Sequence, residues 1–484
     1  MASVFIGRLI QFLLLILTVK ISTTLLPPSE MGKVSIIVST IAGFALLVLN
    51  PVGMFINRRI LIWNQRGVVK QYLRVFWFYV LAMALFSSCF LAALTYSHIW
   101  DTDINKLWLI GLVAFNIVFA TVNQVAIPSL NLFGYQFQFL ILSIATNFFS
   151  LIFAVTLVLK FSINAELWLV GVLLGNLVIG LYGAKVFYEK LNNSNITNFG
   201  FDFNQFNKLH LHGFFNYTWP IAFASLLGWI QSQSYRYSIE QNTGLEELGL
   251  FVAGYGISAG LIGAFDSVFT TYFQPKFYKK ISEFDDAFSH SSAWSSYANS
   301  IFPALLLTTV LIICLAPSLT RLLLGDRYHG VEHFVVFGAI AEMLRLSSGI
   351  FALMAHAKMK TKLLLIPNFI GALLAVLLTH LLISKYGVIG VAYALILSFL
   401  ASAYLSFFSI KKYLANHFRF KGLAFAIVLS SCLWGFSKII RVNNWFTFQP
   451  STLITDFFQS SLIGLLFMYF LYLILKPALA KHKV

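Results

Sequence analysis

Charge is scarce in this chain. Lys, Arg, Asp and Glu make up 10% of its 484 residues, whereas 59% are hydrophobic. A soluble domain of this length would carry far more charged surface. Cysteine is scarcer still. Cys89, Cys314 and Cys432 all fall in apolar runs, so neither a disulfide framework nor a metal site is indicated. The apolar N-terminal stretch lacks a small-x-small cleavage site before Pro27-Pro28 and reads as a retained span. Also missing is a large polar loop on which catalytic residues could sit. Asp101-Thr102-Asp103 has the look of a metal-binding glycosyltransferase doublet, but in a short loop without a soluble domain it reads as a solvated turn. These absences point away from an enzyme.

Long apolar runs are abundant. Runs of about 20 residues suffice to span a bilayer. The sequence predicts about fourteen such helices, near 4–26, 31–56, 72–96, 106–128, 138–160, 165–188, 214–238, 248–272, 296–316, 333–356, 363–383, 388–410, 422–440 and 454–475. The fold class is therefore an all-α polytopic membrane protein. A formal net charge of +16 would suggest nucleic acid in a soluble protein. Here it divides by topology. With the N-terminus in the cytoplasm, 22 lysines and arginines fall on the inner side and eight on the outer side or its edge. That matches the positive-inside bias, places both termini in the cytoplasm and leaves no need for nucleic acid.

A linker over 191–213 separates two sets of six helices, 1–190 and 214–413, and residues 414–484 add two more. The halves echo one another. Glu30-Met31-Gly32 opens the second helix as Glu247-Leu248-Gly249 opens the eighth. Lys20 and Arg236 stand at nearly the same depth ahead of those glycines, so the first helix of each half carries one cation. Repeats of this kind are typical of secondary transporters, whose sites lie between the repeats near mid-membrane.

Several motifs are similar to those of the oligosaccharide and polysaccharide flippases (Wzx-like proteins) of the MOP exporter superfamily. They are Tyr235-Arg236-Tyr237, Glu247-Leu248-Gly249-Leu250-Phe251, Phe273-Gln274-Pro275, the stretch Leu25 to Gly32 with Arg58-Arg59, and Lys385 to Ala394. Their order and spacing, rather than any one motif, carry the resemblance over almost the whole chain. It implies two six-helix lobes in a V, a cavity between them and alternating access. The implied cargo is an undecaprenyl-diphosphate-linked oligosaccharide, such as an O-antigen repeat unit, in a bacterial inner membrane. The implied partners are that substrate, membrane lipids, a polysaccharide polymerase, and a coupling proton or sodium ion. No cofactor is expected.

Charges inside apolar helices are costly and commonly face a wet cavity or a partner. Arg236 shares a helical face with Gln233 and Glu240, with Gln231 nearby. It either snorkels or pairs with Glu240, or it contacts the carrier diphosphate, which guanidinium binds bidentately. Lys20 carries the same alternatives. Glu342 and Arg345, three apart, are either an intrahelical ion pair or part of a cavity lining. Asp266 has no local partner, so it meets a cation from another helix or serves ion coupling. Asn116 and Asn123, with Gln124 and Asn131, either bind sugar hydroxyls or join helices. A cation-coupled multidrug exporter of the same fold is the nearest rival, and a membrane glycan polymerase or ligase is a more distant one.

Overall fold

Hydropathy alone locates most of the helices. The computed structural model describes residues 2–192, 208–283, 287–358, 360–414, 420–442 and 452–480. Most of the expected 191–213 linker and both chain ends lie outside these residues. In order the helices are α1 (Ala2–Leu25), α2 (Pro28–Phe44), a π-helical turn (Ala45–Leu49), α3 (Asn50–Gln65), α4 (Val69–Tyr96), α5 (Lys106–Leu132), α6 (Gln136–Lys160) and α7 (Ala165–Asn192). Then follow α8 (Lys208–Gln233), α9 (Tyr235–Thr243), α10 (Leu245–Glu283), α11 (Ala287–Leu323), α12 (Glu332–Ala357), α13 (Leu365–Ile410), α14 (Phe420–Val442) and α15 (Thr452–Ala480). No strand occurs among the described residues.

Eleven spans among the described residues are long and apolar enough to cross a membrane. One of them, Lys362–Tyr413, is two passes in one, because Gly387 takes a left-handed φ of 57° in the middle of α13. An L side chain is strained there, whereas glycine turns the chain back freely. Ser402 Oγ then reaches the Pro367 carbonyl at 3.2 Å, which fixes the second half of α13 against the first. With α13 counted as two, and with α1 and α8 added, the fourteen expected helices are present.

The second span ends at Ile56 as expected, after a π-helical turn at Ala45–Leu49, although α3 continues as helix to Gln65. One expected boundary is corrected. The segment 273–295, expected as a long loop, is almost wholly helical, because α10 reaches Glu283 and α11 begins at Ala287. An apolar-run search ends where polar residues begin, but helix hydrogen bonding does not. Lys276 stays in α10 by laying its Nζ 3.5 Å from the Tyr272 ring centroid, one turn back.

The chain forms two compact units, Met1–Gly249 and Leu250–Val484. In the first, small polar side chains tie helix to helix. Ser150 Oγ donates to the Val172 carbonyl at 3.2 Å, and Tyr79 Oη to the Val48 carbonyl at 2.8 Å. Glu30 Oε2 accepts from the Ala165 amide at 2.7 Å, placing a carboxylate on the positive end of α7. In the second unit, Ser258 Oγ donates to the Val335 carbonyl at 2.6 Å and Trp294 Nε1 to the Ile350 carbonyl at 3.0 Å. Such bonds matter in lipid, where apolar burial gives helices little reason to associate.

The last two helices pack on α11. Leu307 and Leu315 meet Leu429, Leu433, Ile440, Ile463 and Phe467 in one apolar cluster. Asp456 of α15, only 5% exposed, accepts from Arg321 Nη1 at 3.0 Å and from Ser318 Oγ at 3.2 Å. A charge buried that deeply needs such partners.

Candidate functional sites

The first site lies in the Met1–Gly249 unit, where α8 breaks at Ser234 and α9 begins. Gln231 is buried, while Gln233 and Arg236 are half-buried. The Arg236 guanidinium packs on its neighbour Tyr235, 5.6 Å from the ring centroid, and its Nε donates to Tyr235 Oη at 3.3 Å. Tyr235 itself is only 2% exposed and holds the arginine in place.

Glu240 is not the partner of Arg236. Its carboxylate is buried and accepts from Trp100 Nε1 at 3.3 Å and from the Thr102 hydroxyl. Burial pushes the Glu240 carboxyl above its usual range; the Thr102 and Trp100 hydrogen bonds oppose that shift, and the charge of Asp103 adds to it. Among the described residues, no carboxylate forms an ion pair with Arg236. The local pair foreseen as one reading of Arg236 is therefore absent.

Around this polar turn stands a cage of aromatic rings. The Tyr237 ring lies 5.3 Å from Trp100 and 5.9 Å from Trp229, centroid to centroid. Tyr237 Oη and Thr40 Oγ1 share a hydrogen bond of 2.9 Å, and Trp229 Nε1 donates to the Ser39 carbonyl at 2.9 Å. The sequence showed Glu240 as a helical neighbour of Arg236. It held no signal for Trp100 or Thr102, which lie about 140 residues away in the chain.

The other expected residues of this unit are more dispersed. Lys20 is half-buried near the end of α1. Asn116 is the single polar residue lining a cavity of about 210 Å³ otherwise walled by Val38, Ile41, Leu112, Leu169, Val172 and Leu173. Asn123 joins helices: its Nδ2 donates to Thr146 Oγ1 at 2.9 Å and lies 3.5 Å from the Asn176 carbonyl oxygen. The Asp101-Thr102-Asp103 loop exposes both aspartates, with Asp101 meeting His98 Nδ1 at 3.0 Å, and only Thr102 turns inward.

The second site lies within the Leu250–Val484 unit. Arg345 Nε donates to Glu342 Oε2 at 2.7 Å, and Tyr255 Oη donates to Glu342 Oε1 at 2.8 Å. Glu342 is therefore satisfied from both sides, by its own helix α12 and by α10. Asp266, half-buried on α10, lies within electrostatic range of both Arg345 and Glu342. The structure thus brings Asp266, Glu342 and Arg345 together, and adds Tyr255, for which the sequence held no signal. Asp266 shares the space between α10 and α12 with a second carboxylate and a guanidinium. Further along α10, Thr270, Thr271, Gln274, Pro275 and Tyr278 line an open pocket of about 430 Å³.

These features define a polytopic helical membrane protein with polar and charged clusters built between its helices. No protein-family model matches the sequence, and no curated protein matches it. Solved structures do match its fold. A lipid II flippase MurJ in an inward closed conformation superposes with a TM-score of 0.63 at 13% identity, over 99% of this chain and 100% of that one. An inward-facing multidrug resistance MATE family transporter of the MOP superfamily superposes with a TM-score of 0.59 at 14% identity, over 83% of this chain and 94% of that one. The chain shares the fold of these membrane transporters.

Proposed function

We propose that this protein is a flippase that moves an undecaprenyl-diphosphate-linked oligosaccharide across the bacterial inner membrane by alternating access. Arg236 carries the reading. It is a half-buried cation with no carboxylate partner among the described residues, held by Tyr235 beside a polar helix break. A guanidinium so placed suits a diphosphate, whose oxygens accept its hydrogen bonds in pairs. Lys20, Gln231, Gln233 and Asn116 are proposed as secondary contacts to the diphosphate or glycan. Trp100, Trp229 and Tyr237 pack on one another and brace the turn that carries Arg236. Likeness to a lipid II flippase over the full length of both chains supports a lipid-linked cargo.

With both termini in the cytoplasm, export runs from the inner to the outer leaflet. A diphosphate diester carries about two negative charges, so an inside-negative potential favours that direction by about 4–5 kcal/mol per 100 mV. The Asp266, Glu342 and Arg345 group is the proposed place for a coupling proton or sodium ion. The product would pass to a polysaccharide polymerase. A multidrug exporter is the second reading, favoured by the two carboxylates of that same group and by the likeness to a MATE transporter.

Reconstitution separates the two. In liposomes, the purified protein should translocate a fluorescent polyprenyl-diphosphate oligosaccharide and should not concentrate a lipophilic cationic dye. Dye transport without movement of the lipid-linked glycan would reverse the assignment.

A further inference from the structure

We propose that Lys360 and Lys412, which flank Tyr413, form with the adjacent Lys411 a binding site for the phosphate headgroup of an anionic membrane phospholipid. The turn at Gly387 is what assembles it. By folding α13 back on itself, it returns Lys411-Lys412-Tyr413 to the side from which the helix set out, beside the turn that carries Lys360. Lys360 Nζ donates to Tyr413 Oη at 3.4 Å and stands 5.2 Å from the centre of its ring. Lys412 Nζ also stands 5.2 Å from that ring, and Lys411 Nζ lies 5.4 Å from the Phe408 ring. Lys358 and Lys362 belong to the same turn as Lys360.

Ammonium groups that converge repel one another, and proteins usually offset this with a carboxylate. Among the described residues none pairs with these five lysines. No aspartate or glutamate occurs in the sequence between Glu342 and Asp456. Lys360, Lys411 and Lys412 are all exposed. They sit where the apolar span Lys362–Tyr413 begins and ends, at the level of lipid headgroups. The missing counter-charge is then supplied by the membrane. A phospholipid phosphate can take hydrogen bonds from several ammonium groups at once while its acyl chains lie along α13. The aromatic rings hold the lysines by cation–π contact without neutralising them. This site differs from the proposed substrate contacts, and its occupancy does not depend on transport.

The test is lipid retention by the full-length protein. It is purified into bilayer discs of phosphatidylcholine with phosphatidylglycerol, and the lipids that stay bound through detergent washing are weighed by native mass spectrometry. The wild type should prefer phosphatidylglycerol. The exposed triple variant K360Q/K411Q/K412Q should lose about fivefold in that preference per lysine removed, on the order of a hundredfold in total. The triple arginine variant should retain it. Equal retention by wild type and triple glutamine variant would overturn the proposal, as would loss of the preference in the arginine variant. If polyprenyl diphosphate displaced phosphatidylglycerol from the wild type and the glutamine variant abolished that displacement, the phospholipid assignment would also fall.

Discussion

Gly32 and Gly249 face each other where the start of α2 crosses the start of α10. A Cβ on Gly32 would lie 2.0 Å from the Leu245 carbonyl oxygen, and a Cβ on Gly249 would lie 1.8 Å from that of Pro28. Each glycine therefore meets the carbonyl four residues ahead of the other. The contact is reciprocal, as in an isologous interface between two copies. The two sequence motifs that echo one another are the two that touch, which supports an internal repeat. Only glycine allows backbones to approach this closely.

Alanine at either position must push the two backbones apart. Gly32→Ala and Gly249→Ala should each destabilise the protein, by at least the 1–3 kcal/mol usual for overpacking, because the obstacle is main chain and cannot rotate away. Both substitutions open the same crossing, so the double variant should cost clearly less than the sum. Thermal unfolding in lipid discs measures this. Strict additivity would show that the two glycines do not share one contact.

The Glu342 carboxylate depends on both its donors. Arg345→Gln should cost roughly 1.5–3 kcal/mol, the worth of a hydrogen bond to a charged group, since Glu342 would be left with Tyr255 as its donor. Glu342→Gln added to Arg345→Gln should recover much of that loss. An unfolding series that found the double variant weaker than either single one would contradict the pairing.

Glu240 makes stability depend on pH. Its folded-state pKa is raised above the ordinary 4.5 by burial, so the native state holds the proton more tightly than the unfolded chain. Glu240 thus contributes most below its unfolded pKa. Stability then falls as pH rises through the window up to the folded pKa, and stays level above it. Glu240→Gln should flatten that slope in the unfolding temperature measured from pH 4 upward. Asp101→Asn should be neutral. Asp103→Asn should lower the folded pKa of Glu240 slightly and leave activity intact, because both aspartates are exposed. Loss of glycan display at normal protein level in the Asp101/Asp103 double variant would instead revive an enzymatic reading.

Much of the fold was legible because lipid imposes one requirement on every span, a long apolar run with all its backbone bonds internal. The ends were legible only where polarity and helix stop together, as at Ser97 after α4 or Lys358 after α12. At Gln274 to Lys280 they do not, and the helix outruns the apolar signal. Charged residues stood out within apolar runs, which is why Arg236, Asp266, Glu342 and Arg345 could be named in advance. Their partners could not. Periodicity relates residues on one helix, so it reaches Arg345 from Glu342. It says nothing of Tyr255, 87 residues away, or of Trp100 and Thr102 against Glu240. Asn123 shows the reverse limit: an asparagine in a span reads alike whether it serves a ligand or, as here, a threonine on the next helix.

The most direct measurement is translocation of a polyprenyl-diphosphate oligosaccharide by liposomes carrying wild-type protein or an Arg236 variant at equal density. If the guanidinium contacts the diphosphate, Arg236→Gln should lose one to two orders of magnitude in apparent substrate affinity, the equivalent of roughly 1.5–3 kcal/mol, while Arg236→Lys keeps part of it. Glu240→Gln should not rescue Arg236→Gln, because Glu240 already bonds to Trp100 and Thr102. Wild-type translocation by Arg236→Gln, or its rescue by Glu240→Gln, would contradict the account.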